Sequence, residues 1–478
     1  MAGGAIGDGV IVDLSRLAAI GPVDVAARRV HVGPGVVLGD LNAALAPHRL
    51  RFPVDPSSWS FCTLGGMAST NAAGARTLAV GPTRRWVVAL DCVFADGSRA
   101  IVRRGDPPPN VEAVSRFLAD AAPILRRRES ERPSRHVGVR KESSGYGIAD
   151  WARGGAAAED LVDLLVGSEG TLALFVGIEL ALQAVPVATA SLLAAFPSLE
   201  TAVAAAAAAR TAGASACELL DKTFLDVAAA GPLRVEIPVG TDAVIMAESE
   251  ADSAAVAGEI VASIVAACER AGATAVRVAS TADAEHQLWA LRHAASPILA
   301  RLDPSLKSMQ FIEDGAVPPA RLAEYVRGVR AALARQGIRG VIFGHAGDAH
   351  IHVNPLVDVR RSEWRAGVDA LLAEVTALVA SLGGTVAGEH GDGRLRAPLL
   401  PAVWGSEIVE RFALVKRTFD PDGILNPGAK IARAGDAGIG DVKYDPTLQP
   451  LSPNARRALD HVEQARAYSA FRLDLLGE

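Results

Sequence analysis

The pattern of apolar and polar positions predicts strands that alternate with helices through the middle of the chain. Short apolar runs, typical of buried strands, are separated by longer stretches whose apolar residues recur at helical spacing. The predicted order is strand 191–196, helix 199–211, strand 216–220, strand 244–247, helix 253–271 and strand 275–279. Because the helices are segregated from the strands in this way, the pattern indicates an α+β domain built on an antiparallel sheet.

The same pattern predicts elements on both sides of this region. Before it come strands at 9–13 and 29–32, a helix at 37–46 and a hairpin at 87–103 that turns at Asp96-Gly97. After it come a helix at 321–336, a strand at 341–343, a helix at 362–382, a short strand at 385–387 and a last helix that begins at Ser452-Pro453. Two histidine-bearing segments follow predicted strands, where loops that carry function meet a rigid scaffold.

Length and composition indicate a globular protein of two or three domains. The chain has 478 residues, of which 50% are hydrophobic and 21% charged. With 48 Lys and Arg against 54 Asp and Glu, the net charge is -6, which gives no basic surface for nucleic acid. The four cysteines form no CxxC pair and are expected to be reduced thiols.

No targeting or membrane-spanning segment is predicted. The longest purely apolar run, at 202–209, is shorter than the roughly 20 residues that cross a bilayer. The opening residues lack the charged and apolar regions of a secretory signal, so we expect a cytoplasmic protein. Peripheral attachment to a membrane and assembly as a homo-oligomer stay open.

Three histidines lie close together in the sequence GHAGDAHIHVN at 344–354. His350 and His352 share one face of an extended strand, and His345 lies one tight turn upstream. Neutral imidazoles grouped in this way suit a first-row transition metal, and the sequence GEHG at 388–391 supplies further candidate ligands. The alternative is that these are loop histidines that make ordinary hydrogen bonds, because spacing alone is a weak sign of a metal site.

The loop at 53–74 combines small residues and hydroxyls at a density found nowhere else in the chain. Such a loop lets the backbone approach a flat or phosphorylated ligand and provides N–H and O–H donors. A second loop of this kind is KESSGYG at 141–147. The alternative is that Gly65-Gly66 is only a turn before a helix.

Six motifs in order resemble one known family. They are PVDPSSWSFCTLGGMASTNAAG, KESSGYG, VGSEGTL, GHAGDAHIHVN, GEHGDG and FDPDGILNPG. Together they resemble the FAD-dependent 2-hydroxy-acid dehydrogenases, the group of glycolate oxidase, D-lactate dehydrogenase and D-2-hydroxyglutarate dehydrogenase within the vanillyl-alcohol-oxidase superfamily. The resemblance covers about residues 4–428.

The resemblance implies an α+β fold with a vanillyl-alcohol-oxidase-type FAD-binding domain, a ferredoxin-like α+β substrate cap and a C-terminal helical return. The expected limits are 1–186 for the FAD-binding domain, 187–395 for the cap with a metal site, 396–431 for the return, and 432–478 for a linker and a C-terminal helix. The FAD-binding domain is expected to be N-terminally incomplete, because residues 2–5 look like the end of the glycine-rich loop that binds the FAD pyrophosphate in relatives. On that basis weak or absent FAD binding is expected.

The resemblance also implies roles for individual residues. The expected FAD contacts are Thr63, Leu64, Gly65, Gly66, Asn71, Gly74, Gly170, Thr171 and Asn426. The expected ligands of a divalent metal (Zn, Mn or Fe) are His345, His352 and Glu389, with His350 as a neighbour rather than a ligand. The expected substrate contacts are Arg292, Ser296, Lys307 and Asn354. His390 is the expected base on chemical grounds, since an imidazole has a reference pKa of about 6.5.

Chemistry agrees with these roles independently. Oxidising an α-hydroxy acid requires a base for the hydroxyl proton, a carboxylate clamp and stabilisation of the developing alkoxide while hydride leaves for a flavin. Two imidazoles and one carboxylate leave coordination positions open for a substrate. The resemblance, rather than the chemistry, implies a substrate of the D-lactate, glycolate or D-2-hydroxyglutarate type. The electron acceptor is expected to be a quinone, an electron-transfer protein or oxygen. Two alternatives remain: a catalytically silent binding or subunit protein that keeps the fold, and a metal-free alcohol oxidase of the same superfamily.

Overall fold

The computed structural model describes residues 9–153, 160–229, 236–279, 281–299, 305–439 and 452–465. Within them the strands are β1 Arg29–Val32, β2 Leu50–Arg51, β3 Val87–Val93, β4 Arg99–Arg103, β5 Leu174–Ala181, β6 Gln183–Ala184, β7 Ala188–Phe196, β8 Ala216–Asp221, β9 Ala243–Ala251, β10 Ala275–Val278, β11 Leu306–Ser308, β12 Gly315–Ala316, β13 Arg339–His345 and β14 His350–Asp358.

The α-helices in the same residues are α1 Leu38–Leu45, α2 Leu64–Thr70, α3 Thr77–Val80, α4 Glu112–Arg116, α5 Ala122–Glu131, α6 Ile148–Ala152, α7 Leu161–Leu165, α8 Leu199–Thr211, α9 Lys222–Ala229, α10 Ala254–Arg270, α11 Ala282–Leu299, α12 Leu322–Arg335, α13 Trp364–Ser381, α14 Gly393–Arg396, α15 Leu400–Trp404, α16 Ser406–Phe419 and α17 Pro453–Ala465.

The first sheet is antiparallel and has the strand order β1-β5-β3-β4. Its buried face carries Leu90 and Ile178, which belong to one apolar core with residues of α1, α5, α6 and α7. Helix α16 adds Phe412 and Phe419 to this same core although it follows the second sheet in sequence. The chain therefore returns to its first half after building the second.

The second sheet is also antiparallel, with the order β10-β7-β9-β8-β13-β14-β11 and with β12 paired to β14. Helices α8, α10, α12 and α13 pack on one face of this sheet. Helices α9 and α11 pack on the other face through Phe224 and Leu288. The strands of the second sheet therefore lie between two layers of helices, which pack on both of its faces.

The structure confirms the predicted α+β class with antiparallel sheets. The helix predicted at 253–271 is α10, and Ser253 caps it by accepting the N–H of Val256 at 3.2 Å. The helix predicted at 321–336 is α12. The hairpin predicted at 87–103 is β3 and β4, paired in antiparallel register.

Two predicted strands are wrong. Residues 9–13 are described but form no strand, and the Val10 side chain is 93% exposed. A run of β-branched residues such as that at 10–12 suits a strand, but a strand also needs a neighbour to pair with, which a sequence pattern does not provide. At 385–387 only Thr385 makes a single bridge, to Ala316. The domain limits given above stay a prediction.

Candidate active site

A β-hairpin carries the three histidines of GHAGDAHIHVN. Strand β13 ends at His345, and strand β14 begins opposite it at His350. The turn between them is a 3-10 turn at Ala346–Asp348 that closes on Ala349 in the left-handed conformation, with φ 55°. Because side chains alternate along a strand, His350, His352 and Asn354 share one face of β14.

His345, His352 and Glu389 converge on one point. The Nε2 atoms of the two histidines are 3.4 Å apart. Glu389 Oε1 lies 3.3 Å from His345 Nε2 and 3.2 Å from His352 Nε2. Three ligands of a tetrahedral ion with bonds of about 2.1 Å lie about 3.4 Å from one another, so the triangle has the dimensions of a metal ligand set.

The second nitrogen of each imidazole fixes where its lone pair points. His345 Nδ1 lies 2.6 Å from Glu218 Oε1, and His352 Nδ1 lies 2.9 Å from the carbonyl oxygen of Glu313. Carbonyl and carboxylate oxygens only accept, so both Nδ1 atoms carry the hydrogen. In the neutral imidazoles both Nε2 lone pairs then face the Glu389 carboxylate. Two imidazole nitrogens and one carboxylate oxygen therefore lie close together in a buried region, an arrangement that suits a cation bound between them.

Electrostatics around Glu389 favour its ionised form. Burial raises the pKa of this carboxyl, but Lys141 and the nearby histidines outweigh burial and hold the pKa well below its usual range. Lys141 Nζ donates to Glu389 Oε2 at 3.0 Å and to the carbonyl oxygen of Gly74 at 2.8 Å. Burial lowers the pKa of His352, which favours the neutral imidazole that a metal requires.

His350 lies beside this triangle and points elsewhere. Its Nε2 is 2.9 Å from Asp314 Oδ1, and its Nδ1 is 3.9 Å from Glu389 Oε2 rather than Oε1. Burial lowers the pKa of His350 to about 3. His350 can still be grouped with the three proposed ligands by distance, so its exclusion from the ligand set stays a prediction.

His390 lies next to His352, and the two rings are stacked with their centroids 5.3 Å apart. Its Nδ1 lies 3.3 Å from Glu313 Oε1, and its Nε2 lies 3.8 Å from Glu389 Oε1. Arg396 donates to Glu313 Oε1 at 2.6 Å and so fixes that carboxylate. The His390 side chain is 29% exposed, which leaves it accessible to a ligand. Burial lowers its pKa, but Asp314 and Glu313 outweigh burial and raise it.

A cavity of about 480 Å³ opens beside His345 and is lined by Arg292 from α11. Arg292 donates through Nε to Glu218 Oε2 at 2.5 Å and lies over the Phe343 ring at 4.8 Å. Asn354 is buried on the same face of β14 as His352. The structure therefore brings Arg292 and Asn354 to the elements that carry the histidines.

Of the two other expected substrate contacts, Lys307 does not join this group. Lys307 is opposite Val357 in the pairing of β11 with β14, so its side chain lies on the face of β14 away from His352. The register therefore does not support Lys307 as part of the carboxylate clamp. Ser296 belongs to α11, but its side chain lies outside the described residues.

The residues expected to contact FAD lie in the first turn of α2 and in loops that meet this helix. Helix α2 is capped by Thr63, which accepts the N–H of Gly66 at 3.2 Å, and ends at Asn71 in the left-handed conformation. Ser69 accepts the N–H of Glu169 through its carbonyl at 2.8 Å, which places the Gly170-Thr171 loop against α2. Asn426 donates to the carbonyl oxygen of Glu169 at 2.7 Å.

Close packing explains several of these residues without a cofactor. A Cβ on Gly65 would lie 2.6 Å from Pro34, and one on Gly74 would lie 2.4 Å from the carbonyl oxygen of Asp55. Leu64 is buried in the core. Gly170 instead faces open space and has φ +69°, so here the backbone conformation requires glycine. Thr171 is buried and lies 2.7 Å from the hydroxyl of Tyr146.

A second cavity, of about 560 Å³, adjoins these loops. Asn71 and Tyr146 line it, together with Arg84, Arg135, His136, Arg140 and Arg153 against the carboxylates Glu142 and Asp150. The excess of arginine suits an anionic ligand, and a dinucleotide carries such a charge in its diphosphate. The loops and the cavity therefore fit a phosphorylated cofactor.

Sequence reasoning missed several residues that organise the site. Glu218, Glu313 and Arg396 all lie outside the histidine motifs. Lys141 was visible in KESSGYG, but only its contact with Glu389 gives it a role. Lys430 follows the NPG motif and donates to Asp392 at 3.1 Å and to the carbonyl oxygen of Ser143 at 2.9 Å. These two bonds tie the GEHGDG loop to the first half of the chain.

Among the described residues, no helix has both the length and the apolar character needed to span a bilayer.

Family comparisons place both halves of the chain. Residues 185–429 match the family "FAD linked oxidases, C-terminal domain", and residues 1–102 match "FAD binding domain". The glycolate oxidase subunit GlcD of Bacillus subtilis is 29% identical over 84% of this chain and 75% of its own length. The D-2-hydroxyglutarate dehydrogenase of Pantoea ananatis is 28% identical over 93% of this chain but only 45% of its own length. The D-lactate dehydrogenase of Archaeoglobus fulgidus is 29% identical over 91% of this chain and 84% of its own length.

Solved structures share the fold at low identity. An alkyldihydroxyacetonephosphate synthase superposes with a TM-score of 0.58 and 15% identity over 87% of this chain and 67% of that one. The 4-ethylphenol oxidase of Gulosibacter chungangensis superposes with a TM-score of 0.61 and 13% identity over 87% of this chain and 79% of that one. The expected fold of the vanillyl-alcohol-oxidase type is confirmed. On the match over residues 185–429, the chain belongs to the FAD-linked oxidases.

Proposed function

We propose that this protein oxidises a D-2-hydroxy acid to the 2-oxo acid, with FAD and a divalent metal (Zn, Mn or Fe) as cofactors. The relatives named for glycolate, D-lactate and D-2-hydroxyglutarate support this substrate class. The observation that carries the proposal is the triangle of His345 Nε2, His352 Nε2 and Glu389 Oε1, with sides of 3.2 to 3.4 Å, beside the accessible ring of His390.

The chain's own residues provide the remaining chemistry. The FAD-contacting loops would hold FAD as a hydride acceptor, and His345, His352 and Glu389 would hold a divalent ion that would serve as a Lewis acid for the substrate hydroxyl. His390 is the base: Glu313 accepts its Nδ1–H, so Nε2 is left to take the hydroxyl proton. Arg292 binds the substrate carboxylate from the wall of the cavity next to His345. Asn354 adds a polar contact from β14.

We assign the FAD to the loops around α2 and to the arginine-lined cavity beside them. Thr63, Asn71, Gly74, Gly170 and Thr171 provide backbone and hydroxyl groups there. Asn426 donates a hydrogen bond to the carbonyl oxygen of Glu169, the residue that precedes the loop at 170–171. The electron acceptor is a quinone, an electron-transfer protein or oxygen, and an artificial dye can replace any of them in an assay.

A dye-reduction assay with glycolate, D-lactate and D-2-hydroxyglutarate tests the proposal, with FAD and metal added. We expect turnover of at least one acid and its loss after treatment with a chelator, with recovery when metal is restored. Turnover that survives complete metal removal would instead indicate a metal-free alcohol oxidase. No turnover of any of the three acids would indicate the silent protein.

A further inference from the structure

Glu218 lies in the middle of β8 and is completely buried. An ionised carboxylate inside a sheet is costly unless partners satisfy both oxygens. Its strand neighbours Cys217 and Leu219 face the apolar core under α8, so Glu218 points to the opposite side. That side is the wall of the cavity that also contains Arg292 and His345.

Glu218 uses its two oxygens for two different parts of the site. Oε1 accepts the Nδ1 hydrogen of His345 at 2.6 Å, and Oε2 accepts the Nε hydrogen of Arg292 at 2.5 Å. The contact with Arg292 engages only Nε, so the two terminal nitrogens of the guanidinium are directed elsewhere. One carboxylate thus joins a proposed metal ligand to the proposed substrate clamp.

We propose that Glu218 is a positioning residue that orients His345 for the metal and Arg292 for the substrate carboxylate. Accepting the Nδ1 hydrogen fixes the tautomer and the rotation of the His345 ring, so that the Nε2 lone pair points at His352 and Glu389. Holding Nε of Arg292 sets the direction of its terminal nitrogens. This role rests on the proposed metal ligand set.

A purely structural ion pair looks different in the same molecule. Glu129 is also a buried carboxylate paired with an arginine, since Arg411 donates to it at 2.9 Å. Its other partner is Ser134, in the first half of the chain, and no histidine is involved. Glu129 therefore provides a matched control for the loss of a buried pair.

The test is the affinity for Zn²⁺, measured by competition with a chromophoric chelator on metal-free protein. Glu218→Gln keeps the shape but replaces one acceptor with a donor, so it cannot accept from both His345 and Arg292. We expect Zn²⁺ binding about 10- to 100-fold weaker in Glu218→Gln and unchanged in Glu129→Gln. Glu218→Asp keeps the charge but is too short to reach both partners, so it is expected to weaken Zn²⁺ binding even if Glu218→Gln fails to fold.

A second readout addresses Arg292. With the acid that the wild type oxidises fastest and with saturating metal, Glu218→Asp should raise KM more than it lowers kcat, because the clamp rather than the base is disturbed. Wild-type Zn²⁺ affinity in a folded Glu218 variant would overturn the positioning role and leave the metal site standing. A wild type that binds no Zn²⁺, Mn²⁺ or Fe²⁺ would overturn the proposed function itself, and this role with it.

Discussion

Glu389 divides its two carboxylate oxygens between different tasks. Oε1 faces the Nε2 atoms of His345 and His352, while Oε2 accepts from Lys141 at 3.0 Å. Because the lysine binds one oxygen, the other oxygen is the one that the proposed metal site would use. Lys141 also compensates the negative charge of the buried Glu389 carboxylate. Burial alone would favour the neutral acid.

Replacing the proposed base separates its role from that of the ligands. We expect His390→Asn to lower turnover by about 10²- to 10⁴-fold, because no other group would take the hydroxyl proton. Metal content should stay at the wild-type level, since His390 lies outside the triangle of ligands. Turnover and metal content are measured on the same preparation. A fall of less than about threefold in turnover would show that another group is the base.

Sequence reasoning reached the residues that lie in motifs and missed those that act through space. His345, His352 and Glu389 were predicted as metal ligands because they lie in recognisable motifs, and this assignment stays a prediction. Glu218 was not predicted, because it contacts His345 across 127 residues and belongs to no motif. The assignment of Lys307 depended on resemblance alone, and the register of β11 against β14 does not support it.

At the scale of elements, Asp221 joins three of them at the end of β8. Its Oδ1 accepts the N–H of Phe224 at the start of α9, at 2.9 Å, and the N–H of Ile342 in β13, at 3.2 Å. Burial raises the pKa of this carboxyl to about 7. Sequence reasoning placed the strand but gave no sign of this titration, which depends on elements brought together by the fold.

Asp221→Asn should therefore change how stability depends on pH. As pH rises from about 4 to 7, the unfolded chain releases the Asp221 proton and the folded protein does not, so the wild type loses stability relative to the amide variant. Between pH 5 and pH 8 the difference in the free energy of unfolding should shift by about 3 kcal/mol in favour of Asp221→Asn. Urea unfolding of both proteins across this range measures the shift. Parallel stability curves would show that Asp221 is ionised at no cost in the folded state.

At the scale of the whole molecule, Arg76 connects the two halves. It follows the loop at 53–74 and donates to Glu248 of β9 at 2.6 Å and to Asp55 at 2.6 Å. The contact with Glu248 spans 172 residues, which is why no local pattern predicted it. The return of α16 to the first core, by contrast, was expected from the family resemblance.

Arg76→Met should destabilise the protein, because it leaves the buried Glu248 without its main partner. We expect a loss of about 3 kcal/mol and a thermal midpoint lower by about 5 °C. Arg99→Met is the matched control, because the Arg99 side chain of the Arg99–Asp91 ion pair is exposed. This substitution should lower the thermal midpoint by about 1 °C or less. Equal midpoints for the two variants would argue against a connecting role for Arg76.

The metal content of purified His352→Ala tests the central claim most directly. His352 is one corner of the ligand triangle and has no other role in the account. The wild type should retain about one divalent ion per chain, and the variant should retain almost none and lose turnover, while any bound flavin stays in place. Metal content that is the same in both proteins would contradict the proposed site.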